Sequence, residues 1–118
     1  MIDTKVVKRG DLYYVDLGDG IGSEQCGLRP AVIVQNDKGN KFSTTVIVAP
    51  LTSRNKKLMP THVILSKSDK LPKTSTVLLE QIRIVDKQRL KEKIGHVTKK
   101  ELTKIDKCLE ISLGIKRD

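Results

Sequence analysis

Short runs of β-branched residues, each closed by turn-forming residues, are the feature that most restricts how this 118-residue chain can fold. Six such runs occur, at residues 12–17, 31–35, 44–51, 62–65, 76–85 and 94–97. Glycine, proline, asparagine and aspartate separate most of them, and these residues are typical of turns. No helical pattern lies between the runs. The sequence therefore predicts a small curled antiparallel sheet or barrel.

Near the C-terminus the apolar residues recur every three or four positions, which is the spacing of a helix and not of a strand. Thr98 and Glu101 have the spacing of a capping box, and Gly114 stands where a glycine commonly ends a helix. We predict a helix between them that covers one face of the sheet, with Cys108 as a core residue. Its apolar positions recur at helical spacing and are Leu102, Ile105, Leu109 and Leu113.

Length and charge narrow the class of protein. Residues 1–118 are enough for one domain, and no repeat or linker divides them. Twenty-three Lys and Arg against fourteen Asp and Glu give a net charge of +9. This balance favours a polyanionic partner: nucleic acid, an anionic membrane surface or an acidic protein. No apolar run is long enough to span a membrane, and the basic N-terminus lacks a signal-peptide pattern, so we expect a cytoplasmic protein.

Two kinds of site are disfavoured. The glycines at positions 18, 20 and 22 do not form a phosphate-binding loop, because Pro30 and a β-branched run follow them instead of a helix. His62 and His96 have no carboxylate cluster beside them, so we expect no metal site. Each histidine is a possible base for an RNase, although a structural role is favoured. Cys26 and Cys108 are too few for a disulfide framework.

Two loops carry polar residues that can bind a phosphate group. Glu24, Gln25 and Arg29 lie on the glycine-rich loop, and Thr52 and Ser53 follow another strand. Considered alone, Arg29 could equally be a surface charge at the start of a strand. Only two tyrosines and one phenylalanine are present, so any nucleic acid must be held by cations and polar groups rather than by stacking.

The order of residues in the glycine-rich loop is specific. Residues 22–30 read Gly-Ser-Glu-Gln-Cys-Gly-Leu-Arg-Pro, and a β-branched run follows at 31–34. This segment closely resembles the signature loop of the MazF/PemK toxins. The likeness extends from about residue 7 to residue 115 of the chain.

Weaker matches elsewhere strengthen the resemblance. Arg-Gly-Asp precedes the first strand at 9–11, Gln-Asn-Asp follows the second at 35–37, and Thr52 ends the third. Leu-Glu-Gln-Ile-Arg at 79–83 resembles a late strand of that family, and Pro-Thr-His-Val at 60–63 resembles its Gram-positive branch. Together these motifs are highly specific.

The resemblance implies the fold of the MazF, Kid and CcdB toxins, which is an SH3-like barrel, mainly β, with a C-terminal helix. It also implies a homodimeric toxin of a type II toxin–antitoxin pair. Such toxins cut single-stranded mRNA at short sequences without a metal or other cofactor. They leave a 2′,3′-cyclic phosphate and a 5′-hydroxyl, and translation stops.

The same resemblance makes Arg29 and Thr52 the catalytic pair and adds Glu24 as a possible contributor. A guanidinium can hold two phosphate oxygens at once, and the Thr52 hydroxyl can donate to the same phosphate. Arginine remains protonated in proteins, so Arg29 is a poor general base. The proton acceptor stays open between Glu24, water and Arg29.

The resemblance also suggests which residues contact RNA and what inhibits the toxin. Each expected RNA contact could equally be an ordinary surface residue. An acidic, partly disordered MazE-like antitoxin would suit the basic surface and could cover Arg29. Cys26, three residues from Arg29, could make activity sensitive to oxidation. The expected RNA contacts are Gln25, Ser53, Leu58, Thr61, Glu80 and Gln81.

Two other functions remain compatible with the same fold. One is a toxin that poisons DNA gyrase by protein contact, as CcdB does. The other is an RNA-binding regulator that has lost cleavage. The presence of both Arg29 and Thr52 favours the nuclease.

Overall fold

Antiparallel strands account for most of the regular structure in the computed structural model, which describes residues 6–54, 57–66 and 71–115. Two α-helices are present in these ranges, α1 at Asp37–Phe42 and α2 at Lys99–Ser112, with 3₁₀ turns at Leu79–Gln81 and Lys87–Arg89. The strands are β1 (Asp11–Asp16), β2 (Leu28–Ile33), β3 (Thr45–Thr52), β4 (His62–Leu65), β5 (Ser75–Leu78), β6 (Arg83–Asp86) and β7 (Leu90–His96).

The long strand β3 organises the sheet. The strand order is β4-β5-β3-β2-β1-β7, and β6 also pairs with β3. One edge of β3 pairs with β2, while its other edge pairs with β6 along the first half and with β5 along the second. All these pairs are antiparallel. The predicted mainly β fold with a C-terminal helix is confirmed.

The central strands are buried on both faces. Tyr13 and Val15 pack into one hydrophobic cluster, whereas Leu12 and Tyr14 pack into or against the other. The two adjacent tyrosines therefore lie on opposite sides of the sheet, as the alternation of side chains along a strand requires. Full burial of one aliphatic side chain is worth about 1.5–3 kcal/mol, so these two clusters are the main source of stability.

Helix α2 begins and ends as the sequence predicts. Thr98 and Glu101 form the reciprocal capping box. Gly114 has a φ of +71° and its N–H donates to the carbonyl of Ile111, a conformation that glycine adopts without a steric penalty. Ile105 is fully buried in the core beneath the helix. The expectation for Leu113 is wrong, since this residue lies beyond the last helical turn and is 56% exposed.

The predicted strand over residues 76–85 is interrupted. Leu78 and Leu79 are adjacent and both fully buried. The chain instead makes the 3₁₀ turn Leu79–Gln81. That turn moves it from the end of β3 that pairs with β5 to the end that pairs with β6.

A short helix also lies where the sequence predicted only a turn. The side chain of Asn36 caps α1 by accepting from the Gly39 N–H at 2.8 Å, and Asp37 occupies the first turn. Both are favourable at a helix N-terminus. With six residues, α1 is too short to show an apolar period. In the part of the chain that the structure describes, no helix is long and apolar enough to cross a membrane.

Candidate active site

The glycine-rich loop joins β1 to β2 and is closed at its base by two backbone hydrogen bonds. The Leu17 N–H donates to the Gly27 carbonyl at 2.9 Å, and the Gly27 N–H donates to the Gly18 carbonyl at 2.8 Å. Gly27 has a φ of +72°, which a residue with a side chain rarely adopts. The loop, residues 17–27, therefore emerges as a narrow hairpin beside the start of β2.

Glu24 shapes the tip of this loop. Its carboxylate accepts a hydrogen bond from the Ile21 N–H at 2.6 Å, and its own N–H donates to the Ile21 carbonyl at 3.1 Å. The turn leaves no room at Gly20, where an added Cβ would lie 3.0 Å from the Glu24 carbonyl oxygen. The Glu24 carboxylate is exposed and near the expected site, and it also serves as a structural acceptor.

Arg29 lies where the loop enters β2. Its Nε donates to the Cys26 carbonyl at 3.0 Å, which fixes the base of the guanidinium against the loop. Arg29 lies opposite Val15 of β1. On the other side Ala31 lies opposite Pro50 of β3, and continuing this register by two residues places Arg29 opposite Thr52.

Thr52, the last residue of β3, is therefore on the same face and at the same end of the sheet as Arg29. Its side-chain oxygen accepts from the Arg54 N–H at 3.2 Å, which leaves the hydroxyl hydrogen able to donate elsewhere. Thr52 is only 2% exposed, whereas the Ser53 and Arg54 that follow it are exposed. The structure thus brings the two expected catalytic residues to neighbouring strand ends.

Three adjoining depressions form a groove along this end of the sheet. The first, about 160 Å³, is lined by residues that include Arg29, Ser53 and Lys73. The second, about 290 Å³, lies between the loop and Arg54 and is also lined by Arg29. The third, about 440 Å³, includes Glu80, Gln81 and Arg83 in its lining. Glu24 and Gln25 line both the second and the third.

Gln81 and Arg83 contact the loop directly. The Gln81 side chain accepts from the Gln25 N–H at 2.9 Å and donates through Nε2 to the Ser23 carbonyl at 3.0 Å. Arg83 donates to the Leu17 carbonyl at 3.1 Å. Arg83 was not among the expected site residues, although it belongs to the motif at 79–83 that carried part of the resemblance.

Glu80, Thr61 and His62 form a separate network. Thr61 donates to one Glu80 carboxylate oxygen at 3.0 Å, and His62 Nε2 lies 2.9 Å from the other. His62 Nδ1 accepts from the Met59 N–H, so the ring proton is on Nε2 and donates to Glu80. Partial burial acts to raise the pKa of Glu80, but hydrogen bonds from His62, the backbone and Thr61 outweigh it and lower that pKa. These bonds support a structural role for His62.

Leu58 lies away from the groove. It is exposed and lines a different depression, of about 340 Å³, between β4 and α2, together with His62 and Lys107. Thr61 is connected to the groove only through Glu80. Of the expected RNA contacts, Ser53, Gln25, Glu80 and Gln81 therefore line the groove, and the other two do not.

The two cysteines differ in environment. Cys26 is exposed on the loop and lines the second depression beside Arg29. Cys108 lies on α2, half-buried against the core, and burial raises the pKa of its thiol. Among the described residues, no group of three His, Cys, Asp or Glu side chains is arranged to hold a metal ion.

Comparison with known proteins identifies the family. A sequence model of the family described as PemK-like, MazF-like toxin of type II toxin-antitoxin system matches residues 8–113. Endoribonuclease MazF of Staphylococcus saprophyticus is 53% identical over an alignment of 112 residues, and the match covers 93% of this chain and 93% of the relative.

Solved structures agree with this match. An endoribonuclease from a mycobacterial species has a TM-score of 0.79 at 28% identity and covers 97% of both chains. A mycobacterial endoribonuclease in complex with its cognate antitoxin has a TM-score of 0.79 at 30% identity, over 95% of this chain and 99% of the other. The expected fold and family are both confirmed. The chain belongs to the PemK-like, MazF-like toxins of type II toxin–antitoxin systems.

Proposed function

We propose that this toxin is a metal-independent endoribonuclease that cuts single-stranded mRNA and thereby stops translation. The observation that carries the proposal is the position of Arg29 and Thr52 on one face, at neighbouring strand ends, beside a groove that also contains Arg54 and Arg83. A net charge of +9 favours the RNA backbone as the ligand of this groove.

The reaction in this proposal is an internal transesterification. The 2′-oxygen of the RNA bonds to the adjacent phosphorus, and the bond from phosphorus to the 5′-oxygen breaks. The new bond gives a 2′,3′-cyclic phosphate on one product. The leaving 5′-oxygen takes up a proton, which gives a 5′-hydroxyl on the other. Negative charge grows on the phosphate oxygens during this step, so donors placed around the phosphorus lower the barrier.

Arg29 supplies the main charge stabilisation. Its Nε is held by the Cys26 carbonyl, and the terminal nitrogens of the guanidinium are the part that can bind two phosphate oxygens. The hydroxyl of Thr52 is a second donor. Because Thr52 is buried, we expect the exposed turn that follows it to shift when RNA binds.

The proton acceptor in this scheme is Glu24 or a water molecule. Glu24 lines the second depression together with Arg29, which supports the first alternative. Its carboxylate already accepts from the Ile21 N–H, and an ionised carboxylate has further acceptor capacity for a 2′-hydroxyl. Arg29 stays protonated and is disfavoured as the base.

Base recognition follows from the lining of the groove. Gln25 and Glu80 line the third depression and Ser53 lines the first, so these three are the RNA contacts that the geometry supports best. The carboxamide of Gln81 also lines the third depression, but it is bonded to the loop backbone. Thr61 acts through Glu80, to which it donates. Leu58 lies in another depression and can contact RNA only beyond the groove.

The proposed partners are RNA, a second copy of the chain and an acidic antitoxin. One structural relative is an endoribonuclease in complex with its cognate antitoxin, which supports the third. An acidic antitoxin segment would complement the groove cations and compete with RNA for them. The proposed site of action is the cytoplasm, where mRNA is translated.

Incubating the purified protein with a long single-stranded RNA in the presence of EDTA tests the proposal. We expect cleavage at discrete sites, with 2′,3′-cyclic phosphate and 5′-hydroxyl ends. Arg29→Ala should slow cleavage about a hundredfold to a thousandfold. Intact RNA, or cleavage undiminished in Arg29→Ala, would contradict the mechanism. Damaged DNA with intact RNA in arrested cells would instead indicate gyrase as the target.

A further inference from the structure

We propose that Gln81 is a positioning residue, and that its carboxamide holds the loop at residues 17–27 in the conformation that presents Glu24 and Arg29 to the RNA phosphate. This inference rests on the proposed nuclease function for its kinetic consequence. Its structural part, that the Gln81 side chain orders the loop, concerns the free protein and can be tested without RNA.

The loop has almost no apolar anchorage of its own. Leu17 at its base is buried, but every other residue of the loop is exposed or half-buried, and Ile21 at the tip is 84% exposed. Burial, which orders the strands, therefore contributes little to the conformation of the tip. The loop must be held in place by hydrogen bonds.

Four of the hydrogen bonds among the described residues are internal to the hairpin. The bonds from Leu17 to Gly27 and from Gly27 to Gly18 close its base, and the reciprocal bonds between Ile21 and Glu24 form its tip. Bonds of this kind fix the shape of the loop. They do not fix its direction relative to the sheet, because both partners move together.

Gln81 supplies the missing tie between the loop tip and the sheet. It belongs to the 3₁₀ turn between β5 and β6, and its side chain reaches across 56 residues of sequence to the Gln25 N–H and across 58 to the Ser23 carbonyl. In the part of the chain that the structure describes, these two bonds are the only ones that join the loop backbone from residue 20 to residue 25 to another element, and the next bond, at the Cys26 carbonyl, comes from Arg29 of β2.

The chemistry of the side chain matters as much as its length. One bond requires an acceptor, at 2.9 Å from the Gln25 nitrogen, and the other requires a donor, at 3.0 Å from the Ser23 oxygen. A carboxamide offers both from one planar group. A carboxylate offers only acceptors, and a thioether of similar length offers no useful donor.

The two bonded residues flank Glu24, and the loop continues to Cys26, whose carbonyl holds the Arg29 guanidinium at 3.0 Å. Gln81 therefore acts on the reaction through the position of these two side chains. Arg83 complements it at the base of the loop, where it donates to the Leu17 carbonyl. Misplacing a catalytic group by about 1 Å can lower the rate a hundredfold, so a mobile loop tip would slow the reaction.

The first experiment compares Gln81→Met with the wild type by hydrogen exchange in the free protein. Loss of both bonds should speed exchange of the Gln25 amide by roughly threefold to tenfold, with exchange in β2 and β3 unchanged. The matched control is Gln88→Met, because the exposed Gln88 side chain makes no hydrogen bond to the loop among the described residues. An unchanged Gln25 amide in Gln81→Met would overturn the proposal.

The second experiment uses Gln81→Glu, whose side chain has nearly the same shape. Ionised, it cannot donate to the Ser23 carbonyl, but the protonated carboxyl regains one donor and one acceptor. Loop protection relative to wild type should therefore recover as the pH falls through the ordinary pKa of a glutamate side chain. Gln81→Met should show no such recovery. Failure of Gln81→Glu to recover would contradict the assigned pair of bonds.

The kinetic experiment separates positioning from base reading. For Gln81→Met we expect kcat to fall roughly tenfold or more, with KM within about twofold and the cleavage sequence unchanged. A raised KM or altered cleavage sequence, with normal loop exchange, would make Gln81 an RNA contact instead. If the wild type does not cut RNA at all, the exchange experiments still decide whether Gln81 orders the loop.

Discussion

The loop at residues 17–27 and the helix α2 are stabilised in opposite ways. Helix α2 buries Ile105 in the core and satisfies its ends with a local capping box and a glycine at position 114. The loop buries little and depends on side chains of Gln81 and Arg83, more than 50 residues away in sequence. Burial in the core therefore gives the protein its stability, whereas long-range hydrogen bonds give the site its shape.

One short segment of chain serves both regions. The Leu79 carbonyl accepts from the Ser112 hydroxyl of α2 at 2.8 Å, while Gln81 and Arg83 of the same segment hold the loop. The 3₁₀ turn makes this possible, because it breaks the alternation of a strand and directs successive side chains to different neighbours. The segment binds α2 through a backbone carbonyl and the loop through two side chains. Because these contacts use different groups, substitutions in α2 and in the loop should have separable effects, on stability and on activity respectively.

The largest effect expected on the helix side is that of Ile105→Ala. The side chain is fully buried, so we expect the free energy of unfolding to fall by about 2–5 kcal/mol. Urea unfolding would measure this loss. Ile105→Val, which removes one methylene, should cost about 0.5–1.5 kcal/mol. Cleavage by the folded fraction should stay near wild type in both variants, and a selective loss of activity in Ile105→Val would break the separation of the two regions.

On the loop side, Arg29→Lys keeps the charge but removes the planar fork. We expect the cleavage rate to fall about a hundredfold, with unfolding free energy within about 0.5 kcal/mol of wild type. Arg54→Lys is a matched control, because Arg54 lines the same depression as Arg29 but is not one of the expected catalytic residues. Its rate should change only a few fold. Equal losses in the two variants would mean that Arg29 acts as a general positive charge.

The helix was also the easier region to predict from sequence. Its apolar spacing, its capping box and its terminal glycine all act over a few residues, so a single sequence contains them. The strands that bury one or both faces were likewise predictable from their β-branched runs. The helix α1 was missed, because its only signal was the cap at Asn36, which also begins turns.

The site was less predictable because its contacts are long-range. Arg29 and Thr52 were expected together only through family resemblance, and the register of β2 on β3 supplies the physical reason. Nothing near Gln81 or Arg83 in sequence indicates that their side chains bind the backbone of a distant loop. The break of the predicted strand at Leu79 had no local signal either, because adjacent residues are also fully buried within β2 and β3, and those strands stay regular.

A smaller effect is expected at the start of α2. Thr98→Ala removes the side-chain oxygen that accepts from the Glu101 N–H at 3.1 Å, and should lower the free energy of unfolding by about 1 kcal/mol. Thr103→Ala changes the same residue type inside the helix, where alanine has the higher helix propensity. It should therefore leave stability unchanged or slightly raised. Thermal unfolding of both variants tests this, and equal losses would show that the capping box contributes nothing specific.

The smallest effect concerns Glu80, which lies between the two regions. Its hydrogen bonds lower its pKa below the ordinary value of 4.5, so its ionised form stabilises the fold above that pH, and the contribution is lost as the pH falls through the folded-state pKa. In Glu80→Gln the amide cannot accept from both Thr61 and His62 in the same geometry.

At pH 7 we therefore expect Glu80→Gln to be less stable than wild type by about 0.5–1 kcal/mol, with the difference shrinking below about pH 4.5. Urea unfolding between pH 7 and about pH 3.5 would follow it. Glu92→Gln is the control, since Glu92 is exposed and makes no hydrogen bond or ion pair among the described residues. A constant difference across the pH range would mean that Glu80 acts by packing. Because Gln81 makes the contacts to the loop, exchange of the Gln25 amide should stay unchanged in Glu80→Gln even where stability falls.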